Sequence, residues 1–367
     1  MKGRFVEAPT PKAIRQSQWE PAVFRSGEID EEIGRLAASV APDDGRREAI
    51  FAHPSSSTPG IGLAPGIRVT LCVLEPGERT APIRHNSTMV QFCIRGGGTA
   101  VVGDQQIEFE PYDVWNIPSY TTYWHINDTP DRQVRLSYSN APLLEKMGVH
   151  IVEETPQLAA DPDAALDDRD ELGDAAAGRH PFGTFELNES RAMLMPYELL
   201  IAPPPVESPV LHWPWKEVKH HLDQLDALGS EYGGRRLYLL YNPMTGRTNG
   251  TTPSFFATIT IRPPGIVDRP HRHVSAAINY FFHGTGSSRV AGRRYTWEAG
   301  DLMFTAPGWA IHNHASDDGS PVYELTIQDQ PLHIATESLL WQEDLKHSAV
   351  LLGSQPGFAT NRAQVLG

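Results

Sequence analysis

The chain has 367 residues, of which 40% are hydrophobic and 21% charged, a composition typical of a globular protein large enough for two domains. Its formal net charge of −14, without a basic cluster, argues against a nucleic acid or an anionic membrane as partner. The sequence has no apolar run long enough to span a membrane, and its polar start lacks the apolar region of a signal peptide, so we expect a cytoplasmic location.

The first part of the chain changes from helical to strand-like patterns. Residues 1–60 are predicted to be an N-terminal arm with one short helix, because 28–36 combines helical spacing with early acidic residues. Apolar and β-branched runs follow at 67–74 and 89–94, with glycine turns after them. We therefore assign 61–155 to a first β domain.

The middle of the chain is predicted to connect two domains. The acidic, alanine-rich stretch 161–174 indicates an exposed linker, and apolar residues at helical spacing over 218–228 indicate a helix. We assign 156–230 to this linker and helical segment. Further strand patterns place a second β domain at 231–345, with 334–344 expected to be helical, and a tail at 346–367.

Three histidines are the strongest candidates for a metal site. His271 and His273 are two residues apart, so on a strand their imidazoles would lie on one face. His312 follows 39 residues after His273, a separation that suits a strand returning to the same place. Three neutral imidazoles from two strands would bind a borderline divalent metal ion. The alternative is that these histidines are only structural.

The residues around the histidines resemble the two motifs of the cupin superfamily. The first motif reads His-x-His, Glu, Gly, and the second reads Gly-Asp, Pro, His. The matching positions are His271, His273, Gly284, Gly300, Asp301, Pro307 and His312. The position that often holds a Glu ligand is Ala277. A metal ion bound by three His and no carboxylate keeps up to three positions open, as a chelating substrate and dioxygen would need.

The same landmarks occur twice along the chain. The pairs separated by 188 residues are His85 and His273, Gly96 and Gly284, Gly98 and Gly286, Glu110 and Glu298, and Asp113 and Asp301. Pro118 and Pro307, and His125 and His312, come within one residue of that offset. This repeat predicts an all-β fold of two tandem cupin barrels (double-stranded β-helices, or jelly rolls) with short peripheral helices.

The first copy differs from the second at the metal motif. Ile83 takes the position of His271, and Met89 takes the position of Ala277, so only His85 and His125 remain as ligands. Because two ligands bind a metal ion weakly, we expect the N-terminal barrel to be metal-free and structural. The alternative is that these two histidines recruit a third ligand from elsewhere.

Within the cupins the chain resembles the gentisate 1,2-dioxygenase group, which includes salicylate and 1-hydroxy-2-naphthoate dioxygenases. The motifs that carry the resemblance lie at 213–215, 241–246, 270–273 and 312–314, and it covers about 50–345. These enzymes use Fe(II) and O2 to open an aromatic ring next to a carboxylate, usually as homotetramers. The resemblance therefore implies Fe(2+), a small aromatic substrate, O2, and a homo-oligomer, either a tetramer or a dimer.

One departure from the group limits this transfer. Members generally carry the metal histidines in the first barrel and a degenerate second barrel, whereas here the arrangement is reversed. The implied iron ligands are therefore His271, His273 and His312 alone, and the substrate contacts have to be chosen afresh.

The candidate catalytic residue is His314, two residues after His312 and so facing the same interior. It could exchange a proton with a substrate hydroxyl, or it could simply pack beside the metal ion. Asn279 shares strand parity with His273, arginines bind carboxylates in bidentate fashion, and a tryptophan suits a pocket wall. The candidates for substrate binding are Asn279, Arg289, Arg294 and Trp309.

Together these features predict an Fe(II)-dependent, extradiol-type ring-cleaving dioxygenase of aromatic catabolism. Its substrate would be a hydroxy- or amino-substituted aromatic carboxylate of the gentisate, substituted salicylate or hydroxynaphthoate type. A metal-dependent cupin isomerase or decarboxylase is an alternative, although those enzymes tend to keep the carboxylate ligand that Ala277 replaces. A non-enzymatic small-molecule-binding bicupin is another. Three imidazoles also accept manganese or nickel.

Overall fold

Two six-stranded antiparallel sheets form the framework of the molecule in the computed structural model. The structure describes residue 7 and residues 19–154, 184–187, 192–196, 208–229 and 235–352. The chain divides into two units, Met1–Glu154 with Val210–Gly367 and Thr155–Pro209. In the second unit, β12 (Phe185–Glu186) and β13 (Met193–Leu194) pair as an antiparallel hairpin.

The remaining elements belong to the larger unit and are mostly strands. Those before residue 154 are β1 (Ala22–Phe24), α1 (Ser26–Ala38), β2 (Arg47–Ile50), β3 (Arg68–Leu74), β4 (Arg84–His85), β5 (Met89–Arg95), β6 (Gly98–Val102), β7 (Gln105–Phe109), β8 (Val114–Ile117), β9 (Tyr123–Ile126), β10 (Gln133–Ser139), α2 (Ala141–Met147) and β11 (Val152–Glu153). Those after residue 210 are β14 (His212–Trp213), α3 (Trp215–Asp226), β15 (Leu237–Leu239), a 3-10 segment (Pro243–Thr248), β16 (Phe256–Arg262), β17 (Arg272–His273), β18 (Ala277–His283), β19 (Thr285–Val290), β20 (Arg293–Glu298), β21 (Leu302–Ala306), β22 (His312–Ser316), β23 (Val322–Gln328), α4 (Gln330–Ala335), β24 (Leu340–Gln342) and β25 (Val350–Leu351).

Each barrel combines a six-stranded and a three-stranded sheet. The N-terminal barrel has the strand orders β14-β8-β5-β10-β3-β2 and β7-β6-β9. The C-terminal barrel has the orders β1-β21-β18-β23-β16-β15 and β20-β19-β22. These equivalent orders confirm the predicted all-β fold of two tandem cupin barrels with short helices outside them.

Strands from outside each repeat complete both large sheets. In the predicted arm, β1 pairs with β21 of the C-terminal barrel, and β2 pairs with β3 of the N-terminal barrel. From the segment predicted as linker and helix, β14 pairs with β8 of the N-terminal barrel. The division of the chain at 60, 155, 230 and 345 stays a prediction, and much of the predicted linker and tail lies outside the described residues.

Strand alternation divides the core into three clusters. On β5, Val90 and Phe92 belong to a core that also contains Tyr280 and Phe282 of β18, and Phe92 lies 5.8 Å from Tyr280 between ring centroids. The intervening side chains of β5 face the N-terminal barrel interior, where Met89 and Cys93 pack with Trp115. Successive strand residues point to opposite faces of a sheet. Each large sheet therefore packs one face against the other barrel and directs the side chains of its second face into the interior of its own barrel.

Two matching turns mark the repeat. Gly96 and Gly284 follow β5 and β18 and have φ values of +68° and +80°, a region that residues other than glycine rarely adopt.

The helices predicted at 28–36 and 218–228 correspond to α1 and α3. The helix predicted at 334–344 was wrong beyond Ala335, because residues 340–342 form β24, which pairs with β17. None of the described helices is long and apolar enough to cross a membrane.

Candidate metal centre

The three predicted metal ligands converge in the C-terminal barrel. His271 and His312 face each other across an antiparallel bridge and exchange both backbone hydrogen bonds, at 3.1 and 2.9 Å. His273 lies two residues further along, on the same face of β17. All three are buried, and one ligand nitrogen of each lies within 4.8 Å of the others.

Backbone carbonyls fix the orientation of each imidazole. The Nδ1 atoms of His271, His273 and His312 lie 3.1, 2.9 and 3.0 Å from the carbonyl oxygens of residues 269, 275 and 310. A carbonyl only accepts, so each Nδ1 must donate its proton there, which leaves the Nε2 lone pair free. This arrangement is the one that metal-binding histidines usually show.

The electrostatics favour the neutral form that binds metals. Burial, and then the neighbouring His312, lowers the pKa of His271 and His273 well below the usual value. Burial also lowers the pKa of His312 to about 4. Because metal binding requires neutral imidazoles, the three side chains fit a divalent cation without prior loss of protons near neutral pH.

Trp341 covers this centre and was missed in the sequence. In β24 it stands opposite His273 in register, and its ring stacks on His273 at 4.7 Å and on His271 at 5.8 Å between centroids. Its Nε1 donates to Glu343 at 2.8 Å. The helix predicted at 334–344 hid this strand, and no local motif marks it.

His314 faces the same interior as the metal ligands, as predicted. Its ring lies 6.1 Å from that of His312, and its Nδ1 is 2.8 Å from Ser288 Oγ. The indole Nε1 of Trp297 donates to the same Oγ at 2.9 Å. Burial, and next the charge of Arg262, lowers the pKa of His314 well below its ordinary value. A neutral imidazole oriented by a hydroxyl therefore lies beside the three histidines.

The predicted substrate residues are placed in different environments. Asn279 is buried and fully engaged, since its amide nitrogen donates to Thr326 and its oxygen accepts from Thr305. Arg289 and Arg294 face each other in register on the β19–β20 hairpin and are exposed. Ser288, the neighbour of Arg289, points inward to His314, so Arg289 lies on the opposite strand face.

Trp309 lies at the rim rather than beside the histidines. It is half-buried, and the guanidinium of Arg272 stacks on its ring at 4.4 Å. Arg272 also donates to Gln342 at 2.6 Å. Arg272 lies between His271 and His273, so strand alternation directs its side chain away from the metal ligands and towards these partners.

Two arginines near the centre were not selected from the sequence. Arg262 is buried in the barrel between Asp268 and Glu324, with an Nη2 distance of 2.9 Å to each carboxylate. Arg235 is exposed, with 41% of its side chain accessible, and pairs with Glu343 at 2.7 Å, the carboxylate that accepts from Trp341. After burial, the charge of Arg235 is among the causes that lower the pKa of all four histidines.

Comparison with known proteins connects this fold and site to aromatic-ring enzymes. A sequence profile described as the AraC-like ligand binding domain matches residues 256–359. The 5-aminosalicylate 1,2-dioxygenase of Comamonas sp. is 24% identical over 323 residues, covering 86% of this chain and 79% of that protein. The 1-hydroxy-2-naphthoate 1,2-dioxygenase of Nocardioides sp. (strain KP7) is 25% identical over 346 residues, covering 93% and 81%. The crystal structure of a salicylate 1,2-dioxygenase from Pseudaminobacter salicylatoxidans superimposes with a TM-score of 0.71 over 92% of this chain and 91% of that one, at 19% identity.

The chain is a bicupin protein related to the gentisate and salicylate 1,2-dioxygenases. This confirms the resemblance seen in the motifs. It also makes the two barrels of the bicupin comparable position by position.

The strand register of the two barrels corrects one sequence pairing. In the sequence, His125 was matched to His312. In the structure, His125 pairs with Ala100 on β6, and His314 pairs with Ser288, the equivalent position on β19. His125 is therefore the equivalent of His314. Tyr123 is therefore the equivalent of His312, and the bridge between Ile83 and Tyr123 repeats the one between His271 and His312. His85 Nε2 lies 3.1 Å from the Tyr123 hydroxyl. Among the described residues, only the C-terminal barrel assembles three metal-binding side chains.

Proposed function

We propose that this bicupin protein is a ring-cleaving dioxygenase that adds both atoms of O2 to a hydroxy- or amino-substituted aromatic carboxylate. The observation that carries the proposal is the triad of buried, neutral histidines without a carboxylate ligand, in a fold whose relatives are named as 1,2-dioxygenases of salicylates and a naphthoate. The bond broken would join the ring carbons that bear the carboxylate and the hydroxyl or amino group. Such cleavage is extradiol-type only in the sense that the bond does not join two hydroxylated carbons.

The metal ligands of this proposal are His271, His273 and His312, and the metal is Fe(2+). Ferrous iron, when bound, would supply Lewis acidity and electron transfer between a chelating aromatic substrate and dioxygen. The protein contributes fixed imidazoles, a buried site that excludes water, and the Trp341 ring as a wall. Manganese and nickel also suit imidazole ligands, so metal analysis belongs to the test.

His314 is proposed to orient the substrate through a hydrogen bond. Ser288 Oγ accepts from Trp297, and it can donate its own proton to His314 Nδ1. The proton of the neutral imidazole then lies on Nε2, from which it can be donated to a substrate oxygen. In this tautomer His314 acts as a hydrogen-bond donor to the substrate through Nε2, and it does not act as a base at that atom.

The substrate carboxylate is proposed to face Arg235. Arg289 and Arg294 lie on the hairpin face opposite to that of Ser288 and His314, and Arg262 is already paired with two carboxylates. Arg235 is also exposed, but after burial its charge is among the causes that lower the pKa of all four histidines. Arg235 pairs with Glu343, which anchors Trp341 over the metal ligands. A guanidinium in this position can bind a carboxylate with two parallel hydrogen bonds.

The test is anaerobic reconstitution with Fe(II), followed by oxygen-electrode measurements with salicylate, gentisate, 5-aminosalicylate and 1-hydroxy-2-naphthoate. We expect one compound to consume O2 in a 1:1 ratio with loss of its ring absorbance. His273→Ala should lose both metal and oxygen uptake, while His85→Ala, the equivalent change in the other barrel, should keep them. Full uptake by His273→Ala would refute the site.

A non-enzymatic ligand-binding bicupin is the second candidate, favoured by the AraC-like ligand binding profile over 256–359. It would bind a compound of the panel, detected by quenching of tryptophan fluorescence, without consuming O2. The dioxygenase proposal also places the protein in cytoplasmic aromatic catabolism as a homo-oligomer. Light scattering would distinguish a tetramer or dimer from a monomer.

A further inference from the structure

The interior of the N-terminal barrel contains a buried arginine with neutral partners. Arg135, in β10, is only 2% exposed. Its Nε donates to Gln133 Oε1 at 2.8 Å, and its Nη1 donates to Gln91 Oε1 at 3.1 Å. Among the residues that the structure describes, no carboxylate forms a salt bridge with this guanidinium, and its hydrogen-bond partners are the two glutamine oxygens. The side chain therefore brings a positive charge into the barrel that only amide dipoles oppose.

The two glutamines are held in place by their own amide nitrogens. Gln91 Nε2 donates to Ser137 Oγ at 2.8 Å. Gln133 Nε2 donates to the carbonyl oxygens of Gly97 and Ile126 at 3.0 and 3.1 Å. With their nitrogens occupied, both amides must present their oxygens to Arg135. The guanidinium is thus positioned by a built network of buried side chains.

Two further buried nitrogens lie in the same interior without partners. Trp115 stands opposite Gln91 in the β5–β8 register, on the same face, and is 0% exposed. Its Nε1 has no hydrogen-bond partner within the described part of the chain, and the same is true of Nε2 of His125, which is 2% exposed. The two rings lie 5.9 Å apart. Leaving a buried polar group without a hydrogen bond is unfavourable, so both nitrogens can donate to a ligand in this interior.

In the C-terminal barrel the equivalent position belongs to a buried ion pair. In strand register, Arg135 pairs with Cys93 on β5, and Glu324 pairs with Phe281 at the equivalent position of β18. Arg135 is therefore the N-terminal equivalent of Glu324. There Glu324 is paired with Arg262, whose equivalent in the N-terminal barrel is Leu74. The N-terminal barrel therefore has a cation without a salt-bridge partner where the C-terminal barrel has an ion pair.

The surrounding charges do not neutralise Arg135. The nearby carboxylate of Glu48 lies on the exposed edge strand β2 and accepts from Cys72 Sγ at 3.5 Å. Arg46, whose side chain is 11% exposed, adds a second positive charge and is itself paired with the half-exposed Asp44 at 3.4 Å. Burial, then Arg135, then Arg46 lowers the pKa of His125 well below its ordinary value. An anion at His125 would therefore meet the positive charges of Arg135 and Arg46, whereas the negative charge of Glu48 acts on Cys72 and Tyr123 and, after burial, raises the pKa of both.

We propose that the N-terminal barrel binds a small carboxylate anion between Arg135, Trp115 and His125. A carboxylate can accept two hydrogen bonds from a guanidinium edge, and its remaining lone pairs can accept from the indole Nε1 and from Nε2 of neutral His125. The anion offsets the unfavourable burial of a charge that has no counter-ion. This site is separate from the three-histidine centre and does not depend on the proposed dioxygenase activity.

The probe is 3-bromobenzoate, titrated calorimetrically into the full chain after chelation of metals. We expect one saturable site per chain in the wild type and in His312→Ala. Arg135→Met should bind the probe at least tenfold more weakly. The control Arg132→Met, which removes an exposed arginine three residues away on the same chain segment, should bind as the wild type does.

The position of the probe is tested independently in crystals of the wild-type protein soaked with 3-bromobenzoate. The anomalous bromine signal should lie inside the N-terminal barrel beside Trp115. A bromine signal only at the three-histidine centre, or none in either barrel, would overturn the proposal, as would equal binding by Arg135→Met. Because this second measurement needs no variant, it decides the question even where Arg135→Met does not fold. Oxygen uptake enters neither experiment, so failure here leaves the proposed function untouched.

Discussion

Replacing Arg262 by methionine should destabilise the C-terminal barrel, because a buried carboxylate would lose its cation. The side chains of Arg262 and Glu324 are 5% and 4% exposed, and Nη2 lies 2.9 Å from Glu324 Oε1. Asp268, the other partner, is 22% exposed and can be hydrated after the change. Glu324 cannot be. Removing one partner of a buried ion pair costs about 3–5 kcal/mol, and we expect the free energy of unfolding to fall by about that amount.

The double variant Arg262→Met, Glu324→Leu should recover most of this loss. In the described structure Arg262 Nη1 and Glu324 Oε2 have no hydrogen-bond partner, so the native pair is only partly compensated. Replacing both members of a buried pair by apolar side chains is often neutral or stabilising. The double variant should therefore lie within about 1 kcal/mol of the wild type.

Urea unfolding of the metal-free chain, followed by tryptophan fluorescence, measures these differences. Arg293→Met is the control, because Arg293 and its partner Glu20 are both more than 70% exposed. Exposed pairs contribute little, so this variant should match the wild type. The reasoning is refuted if Arg262→Met loses less than about 1 kcal/mol, or if the double variant is no more stable than the single one.

Three further predictions concern the two barrels. His273→Ala should lose the metal ion, measured by elemental analysis, whereas His85→Ala should retain a full equivalent; equal metal in both would contradict the assignment. Ser288→Ala should keep the metal but lower kcat by about 10- to 100-fold, because His314 loses its oxygen partner, and Ser288→Thr should restore most of the rate. An unchanged kcat in Ser288→Ala would remove the orienting role. Cys72 and Cys93 are free and buried, and burial raises the pKa of Cys93 to about 12, so iodoacetamide at pH 8 should label neither thiol in the native protein and both after unfolding, as mass spectrometry would show.

The repeat could be predicted from the sequence because its signals are local. Gly96 and Gly284 adopt positive φ values at equivalent turns, and a residue that must be glycine survives in both copies for a steric reason. The His-x-His spacing likewise needs only the alternation of side chains along one strand. Features of this kind need no knowledge of distant partners.

Other features depend on contacts between distant segments. Trp341 reaches the histidines only because the three-residue strand β24 pairs with β17, and three residues are too few to show a period. In the sequence, the separation of His125 and His312 differs from the 188-residue repeat by one residue, and so does the separation of Pro118 and Pro307. The sequence alone therefore offered no reason to reject the pairing of His125 with His312. The strand ladder decides the match and assigns Tyr123 instead. The outward orientation of Arg289 also depends on strand register. Its neighbour Ser288 pairs with His314 and faces the barrel interior, so Arg289 faces outward.

The exchange of edge strands has a consequence for protein synthesis. β1 leaves the ribosome before the other described strands, yet its partner β21 is synthesised far later. The large sheet of the N-terminal barrel must likewise wait for β14. A chain released at residue 154 would leave β8 with an unpaired edge, which favours association with other strands. The nascent N-terminal barrel therefore remains incomplete until β14 is translated, and β1 stays unpaired until β21 follows.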